Sequence, residues 1–106
     1  MPAILEHAEF AKHLHTTFRI RVNETETIDA ELIEISELLV SPRQERFALV
    51  FRTSNDSFLG QGARAMEHDQ MGELVLFLVP LNRDEQGTCY EAVFNRLVKK
   101  ADATSK

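Results

Sequence analysis

The triplet Glu67-His68-Asp69 comes closer than any other part of the chain to a set of residues that could perform acid–base catalysis. A histidine oriented by a carboxylate is a common general base for a nucleophile. Adjacent residues of a strand point to opposite faces, so His68 cannot lie beside both carboxylates as in a triad. The nearby hydroxyls of Ser54 and Ser57 lack a Gly-x-Ser-x-Gly elbow. We interpret the triplet as a polar cluster at a hairpin end and predict no catalytic residue; a hydrolase or metalloenzyme centred on His68 is the less favoured alternative.

Three histidines near the N-terminus raise the possibility of a metal site. His7, His13 and His15 lie at short spacing, but no histidine pair falls at i and i+4 and no following ligand set completes a site. The acidic stretch from Glu24 to Glu37 lacks the alternating Asp and Asn residues and the glycine of a calcium loop. We therefore expect no metal and no cofactor, with these histidines on the solvent side of a terminal helix.

Composition limits the classes of partner. The chain has 106 residues, 43% of them hydrophobic, which is enough for one domain with its own core. The net charge of -5 argues against nucleic acid, because phosphate contacts need clustered Lys and Arg. No apolar run approaches the ~18 residues of a membrane span, so we expect no membrane contact. The N-terminus lacks a secretory signal and Cys89 fits a packed thiol, so a cytoplasmic location is expected.

The sequence around these polar residues has the pattern of an all-β protein. Short apolar runs alternate with Gly, Asn and Pro breaks and leave no room for crossover helices. Residues 4–14 have the spacing of a short helix, with Phe10 and Leu14 one turn apart. The sequence therefore predicts a small antiparallel β-barrel or roll of about six strands, in mainly meander order, with one short N-terminal helix. Residues 1–95 would form this domain, and residues 96–106 a polar, flexible tail.

The stretch from residue 28 to residue 39 fits two secondary structures. Ile28, Leu32, Ile35 and Leu39 share one helical face, which favours a helix. As a strand, Ile28 and Leu32 share a face and the apolar phase moves by one residue at Ile33, as a β-bulge would produce. We favour the bulged strand, because a helix would leave the neighbouring strands without an antiparallel partner.

Bulky side chains are expected to fill the barrel. Residues 74–79 form a continuous apolar run, which predicts the most buried strand. We expect five phenylalanines inside: Phe18, Phe47, Phe51, Phe77 and Phe94. A barrel that binds a small apolar ligand is an alternative function, and it would require a cavity among these side chains.

Several segments together resemble a family of small bacterial domains of unknown function. The residues that carry this resemblance lie between about 10 and 95: Phe47-Ala-Leu-Val-Phe-Arg52, Gln61-Gly62, Glu67-His68, Gly72, Leu76-Phe-Leu-Val-Pro80, Arg83-Asp84, Gly87 and Tyr90-Glu-Ala-Val-Phe-Asn95. The resemblance implies an all-β fold and a bacterial source, and it implies no reaction. It also suggests an accessory or assembly role in a phage-tail-like system. The helix around Phe10 and the tail lie at or beyond the edge of the matching region.

Five polar residues of this signature surround the last hairpin and form the candidate interaction surface: Arg83, Asp84, Tyr90, Glu91 and Asn95. A structural role is the alternative, in which Arg83 and Asp84 brace the hairpin and Tyr90 packs while its hydroxyl finds a partner. From these observations we expect a non-catalytic protein-interaction or assembly module. Its partner would be another protein or a second copy of the chain, as in a homodimer.

Overall fold

The computed structural model describes residues 6–54 and 59–97, which form one short helix and a set of antiparallel strands. In chain order these elements are α1 (His7–Ala11), β1 (Thr17–Arg21), β2 (Thr27–Ile35), β3 (Leu39–Ser41), β4 (Gln44–Thr53), β5 (Gly62–His68), β6 (Gly72–Asp84) and β7 (Gly87–Leu97). The all-β prediction with one N-terminal helix is confirmed. The predicted tail lies outside the described residues from residue 98 onward.

Six strands close into a barrel, and β3 is an extra strand. The barrel order is β4-β2-β1-β5-β6-β7, and β7 pairs back onto β4. It consists of two meanders, β1-β2-β4 and β5-β6-β7, which meet where β1 pairs with β5 and β4 with β7. Strands β3 and β2 pair with the same edge of β4, one after the other. The β3 pairing runs from Leu39–Arg46 to Ser41–Gln44, and the β2 pairing follows nearer the end of β4. The predicted six-stranded antiparallel barrel is therefore confirmed.

The two junctions between the meanders differ in length. Strands β4 and β7 are paired from Gln44–Leu97 to Thr53–Thr88, along the whole of β4. Strands β1 and β5 are paired only at Arg19–Glu67 and Ile20–Met66. Side-chain ion pairs reinforce this short junction, because Arg19 contacts Glu67 and Asp69 and Arg21 contacts Glu67. The hydrogen bond to Asp69 also raises the pKa of Arg19.

Strand β2 settles the ambiguity of residues 28–39 in favour of a bulged strand. Its pairing with β4 shifts register between Leu32 and Glu34, so Ile33 is the extra residue of a β-bulge. Leu32 is fully buried before the bulge, and Ile35 packs against the core after it. The change of apolar phase in the sequence therefore marks the point where the strand bends around the barrel.

Helix α1 covers one end of the barrel and places Phe10 in the core. Phe10 is fully buried, and its ring lies near those of Phe18, Phe47 and Phe94, with ring centroids 6.5, 6.2 and 5.4 Å away. Helix α1 ends at Ala11, short of the predicted residue 14, and a turn leads into β1. At His15 the backbone φ is 69°, in the left-handed region that ends helical turns.

Strand β6 differs from the prediction in which face its side chains occupy. Leu74, Leu76 and Leu78 are buried, whereas Val75 and Phe77 are 60% and 53% exposed. Two expectations are therefore wrong: that Phe77 fills the barrel, and that this run forms the most buried strand, since β4 is more buried. A run in which every residue is apolar carries no period, so it cannot show that one face meets solvent. The other four predicted phenylalanines do pack in or against the core.

The hairpin between β6 and β7 requires a glycine at position 87. Its φ of 142° lies in a region that side chains rarely adopt. A Cβ atom at this position would collide with the backbone carbonyl of Thr53 on β4. Thr53 and Thr88 are both buried next to it and are opposite each other in the β4–β7 ladder. The missing side chain therefore lets the hairpin approach β4 closely.

Two further features concern expectations from composition. Cys89 is buried, which confirms the packed thiol. In the described ranges, no helix has the length and apolar character that a membrane crossing requires.

Candidate functional site

His68 stands at the end of β5 with its ring inside the barrel, and only 6% of the residue is exposed. The next residues turn the chain into β6, and the backbone N–H groups of Gln70 and Met71 donate to its Nδ1 at 3.0 and 3.2 Å. Because Nδ1 accepts these two hydrogen bonds, the neutral ring carries its proton on Nε2. Nε2 lies 3.0 Å from the Thr16 hydroxyl, and that hydroxyl donates to the His13 carbonyl at 2.6 Å.

The surroundings of His68 favour its neutral form. Its ring centroid lies 4.3 Å from that of Phe18 and 4.4 Å from that of His13. Burial lowers the pKa of His68, and His13 and Arg19 lower it further against the opposing effect of Asp69. Both nitrogens of the neutral imidazole are hydrogen-bonded inside the protein. The ring therefore connects the turn between β5 and β6 to Thr16, just before β1. It has no nitrogen left for a substrate proton or a metal.

The carboxylates beside His68 have a different role. Glu67 and Asp69 point away from the ring and bind Arg19, whose Nη2 lies 3.0 Å from Asp69 Oδ1 and whose Nε lies 3.6 Å from Glu67 Oε1. The prediction that His68 cannot meet both carboxylates is confirmed, and so is the interpretation of the triplet as a hairpin-end cluster. This geometry disfavours the hydrolase centred on His68.

The N-terminal histidines are not grouped around a metal site. His7 hydrogen-bonds through Nε2 to the Ser36 carbonyl at 2.9 Å, and His15 lies 3.4 Å from a carboxylate oxygen of Glu31. His7 and His13 are half-buried, so only His15 has the solvent position expected for all three. Within residues 6–54 and 59–97, no three His, Cys, Asp or Glu side chains come close enough to hold a metal ion.

The barrel interior is filled by aromatic side chains that contact one another. Phe18 and Phe51 are fully buried with ring centroids 5.2 Å apart, and the Phe47 and Phe94 rings stack at 4.6 Å. This packing disfavours the alternative in which the barrel encloses a small apolar ligand.

The candidate interaction surface around the last hairpin does not form one patch. Tyr90 is fully buried, and its hydroxyl accepts a hydrogen bond from the Leu59 N–H at 2.8 Å, so it has the structural role given as the alternative. Arg83 and Asp84 are exposed at the hairpin end, whereas Asn95 lies seven residues beyond Thr88, the partner of Arg83. At ~3.3 Å per residue, this separation is roughly 23 Å. Glu91 is half-buried between them. As contact residues, these four stay a prediction.

An apolar outer face is the feature that sequence reasoning missed. Val75 and Phe77 of β6 point outward, and their cross-strand partners on β5 are Ala65 and Ala63, both exposed. We call these four residues the outer apolar face. Alternation along β5, where Met66 and His68 are buried, could have indicated it, because antiparallel partners share a face.

The chain matches the family described as "Domain of unknown function (DUF6916)" over residues 5–94. It belongs to this family. The match includes the residues of α1, so it begins nearer the N-terminus than the resemblance from about residue 10. No curated protein and no solved structure matches the chain.

The positions discussed above lie almost entirely within the DUF6916 match. His68, Gly87, Tyr90 and the outer apolar face fall inside residues 5–94, and Asn95 lies just beyond. The family description assigns no reaction.

Proposed function

We propose that this protein is a non-catalytic interaction module that binds another protein through the outer apolar face. The observation that supports this is the outward position of Val75 and Phe77, at 60% and 53% exposure, opposite two exposed alanines. Regular strands hold these side chains in fixed positions, and a contiguous exposed apolar surface of this kind is typical of a protein contact site. From the family resemblance, we expect the partner to be a structural protein of a phage-tail-like assembly.

The size of the face favours a different protein over a second copy. Burying the exposed halves of Val75 and Phe77 contributes about 1 kcal/mol each, so two copies would gain about 4 kcal/mol. This corresponds to a Kd of about 1 mM before the cost of association, which is too weak for a stable homodimer. The net charge of -5 also opposes self-association. The partner is therefore a protein with a neutral or positive surface and an apolar pocket of its own.

The test compares a double variant in the outer apolar face, Val75→Thr with Phe77→Thr, with a control at another exposed apolar site. The control carries Leu39→Thr and Val40→Thr on β3, where the side chains are 58% and 65% exposed. Threonine keeps β-propensity, so both variants should fold, which circular dichroism checks. Light scattering coupled to size-exclusion chromatography should give a monomer at micromolar concentration for all three proteins.

Each protein is then used as tagged bait in its native lysate. One stoichiometric protein should be retained by the wild type and by the β3 control and lost by the outer-face variant. Retention by the outer-face variant, or recovery of no protein by the wild type, would refute the proposal. A stable dimer of the wild type that the outer-face variant abolishes would instead identify a second copy as the occupant.

A further inference from the structure

A groove on the other side of the barrel contains Arg52, which has no ion-pair partner among the described residues. It has a volume of about 550 Å³ and is lined by β2, the end of β4 and the β6–β7 turn. Arg52 lies in this lining, and its Nε is buried with no hydrogen-bond partner. Within the described part of the chain, no ion pair reaches its guanidinium. An anionic ligand group that entered the groove would give this guanidinium a charged hydrogen-bond acceptor.

The neighbouring carboxylates do not neutralise Arg52. Glu31 is its cross-strand partner on β2, but the Glu31 carboxylate is turned to His15, 3.4 Å away. Asp29 lies diagonally from Arg52, at a Cα separation of roughly 7–8 Å, and no ion pair joins them. The groove therefore presents one cation and two carboxylates. A ligand rich in acidic groups would be repelled, whereas a single carboxylate accompanied by a basic group would fit.

The groove also contains a segment of β2 that no strand among the described residues pairs with on the β4 side. The pairing of β2 with β4 begins at Ala30–Thr53, so within residues 6–54 and 59–97 no strand pairs with Thr27 on this side. The backbone N–H and C=O groups of Leu32 point to the β1 side, where they bond to Thr16 and His15. Successive residues of a strand point these groups to opposite sides, so those of every odd-numbered residue from 27 to 31 point away from β1. The backbone groups of Thr27 therefore point into the groove. An extended peptide can pair with such an edge.

We propose that the groove binds the C-terminal segment of a partner protein. The terminal carboxylate pairs with Arg52, the peptide backbone pairs with β2 at Thr27, and a basic side chain upstream meets Asp29. The inference rests on the proposed function only in taking the ligand to be a protein segment, since the groove and the outer apolar face are separate surfaces.

The first experiment selects binders from a mixture of tetrapeptides with random sequence and a free C-terminal carboxylate. The full chain is immobilised, and retained peptides are identified by mass spectrometry. Parallel selections use Arg52→Gln and the control Arg46→Gln, which removes an exposed arginine from the same strand. We expect peptides with Lys or Arg before the last residue to be enriched by the wild type and by Arg46→Gln, but not by Arg52→Gln. Equal enrichment by Arg52→Gln, or no enrichment by the wild type, would overturn the proposal.

The second experiment measures fluorescence anisotropy with the best peptide in three forms. Amidation of the C-terminus should weaken binding about ten- to a hundredfold, the range for a charge-assisted hydrogen-bonded pair. An amide with glutamate in the last position tests a side-chain carboxylate, and equal affinity for it would contradict recognition of the terminus. N-methylation of the peptide backbone should also weaken binding, and no effect would exclude strand pairing.

The two proposals fail separately. The outer-face variant should bind the selected peptide with the affinity of the wild type. If the outer-face variant binds the peptide normally while no lysate partner is found, the proposed function fails and the inference about the groove is supported. If the lysate partner is found but no peptide is enriched, only the inference about the groove fails.

Discussion

Substituting Gly87 by alanine should destabilise the fold more than the same substitution at an exposed glycine. The new Cβ would overlap the carbonyl oxygen of Thr53. Cβ atoms stay at least about 3.0 Å from other atoms, and this one would be about 1 Å closer than that. Because that carbonyl is backbone, no side-chain rotation can relieve the overlap. Strands β4 and β7 must separate there, which weakens the ladder at the buried Thr53–Thr88 pair.

The magnitude follows from the groups involved. Backbone strain at a positive φ costs about 1–3 kcal/mol, and each lost ladder hydrogen bond costs about 1 kcal/mol. The expected loss is therefore about 3–5 kcal/mol, out of a total of about 5–15 kcal/mol for a domain of this size. At about 4–8 °C per kcal/mol, the Tm should fall by roughly 12–40 °C.

The assay is urea denaturation followed by circular dichroism, with Gly60→Ala as the matched control. Nothing lies within 4 Å of a Cβ built at Gly60, so that variant should change the free energy of unfolding by less than about 1 kcal/mol. A loss below about 1 kcal/mol in Gly87→Ala, or equal losses in both variants, would show that the close approach of hairpin and β4 does not constrain this position.

Two further predictions concern buried polar groups. The lowered pKa of His68 means that, between that pKa and about 6.5, the unfolded chain binds a proton that the folded chain does not. The free energy of unfolding should thus fall with decreasing pH in this window, by up to about 1.4 kcal/mol per pH unit. In urea denaturation, the stability advantage of the wild type over His68→Gln should therefore shrink between pH 7.5 and pH 5. A difference that stays constant with pH would contradict this. Tyr90→Phe leaves the Leu59 N–H unpaired, which should cost about 1–3 kcal/mol and speed hydrogen exchange at Leu59, whereas unchanged exchange would argue against that bond.

The sequence was sufficient where a local pattern carried the information. The apolar phase of β2 changes between Leu32 and Ile33, and a bulge is the local structure that produces such a change. Gly87 was identifiable because a tight hairpin needs a residue that tolerates positive φ. Both signals lie within a few residues, so no knowledge of strand order was needed.

The remaining features depend on the pairing of distant strands. Phe77 is exposed because nothing in the described chain covers that side of β6, and a continuous apolar run cannot show this. Alternation along β7 places Tyr90 inside with Ala92, but membership in a family signature gave no information on the direction of its side chain. Arg52 has no ion pair among the described residues because Glu31, its cross-strand partner, contacts His15 instead, and no local pattern specifies that contact.

The short junction between β1 and β5 has a consequence for how the barrel opens. Backbone pairing there is confined to Arg19–Glu67 and Ile20–Met66, and ion pairs of Arg19 and Arg21 with Glu67 and Asp69 also bridge it. Exposed ion pairs weaken as salt screens them over a Debye length of about 8–10 Å, whereas backbone hydrogen bonds such as those of the long β4–β7 ladder are less affected. We therefore expect added salt to favour opening at β1–β5 over opening at β4–β7, and such opening would expose Ile20 and Met66 to water.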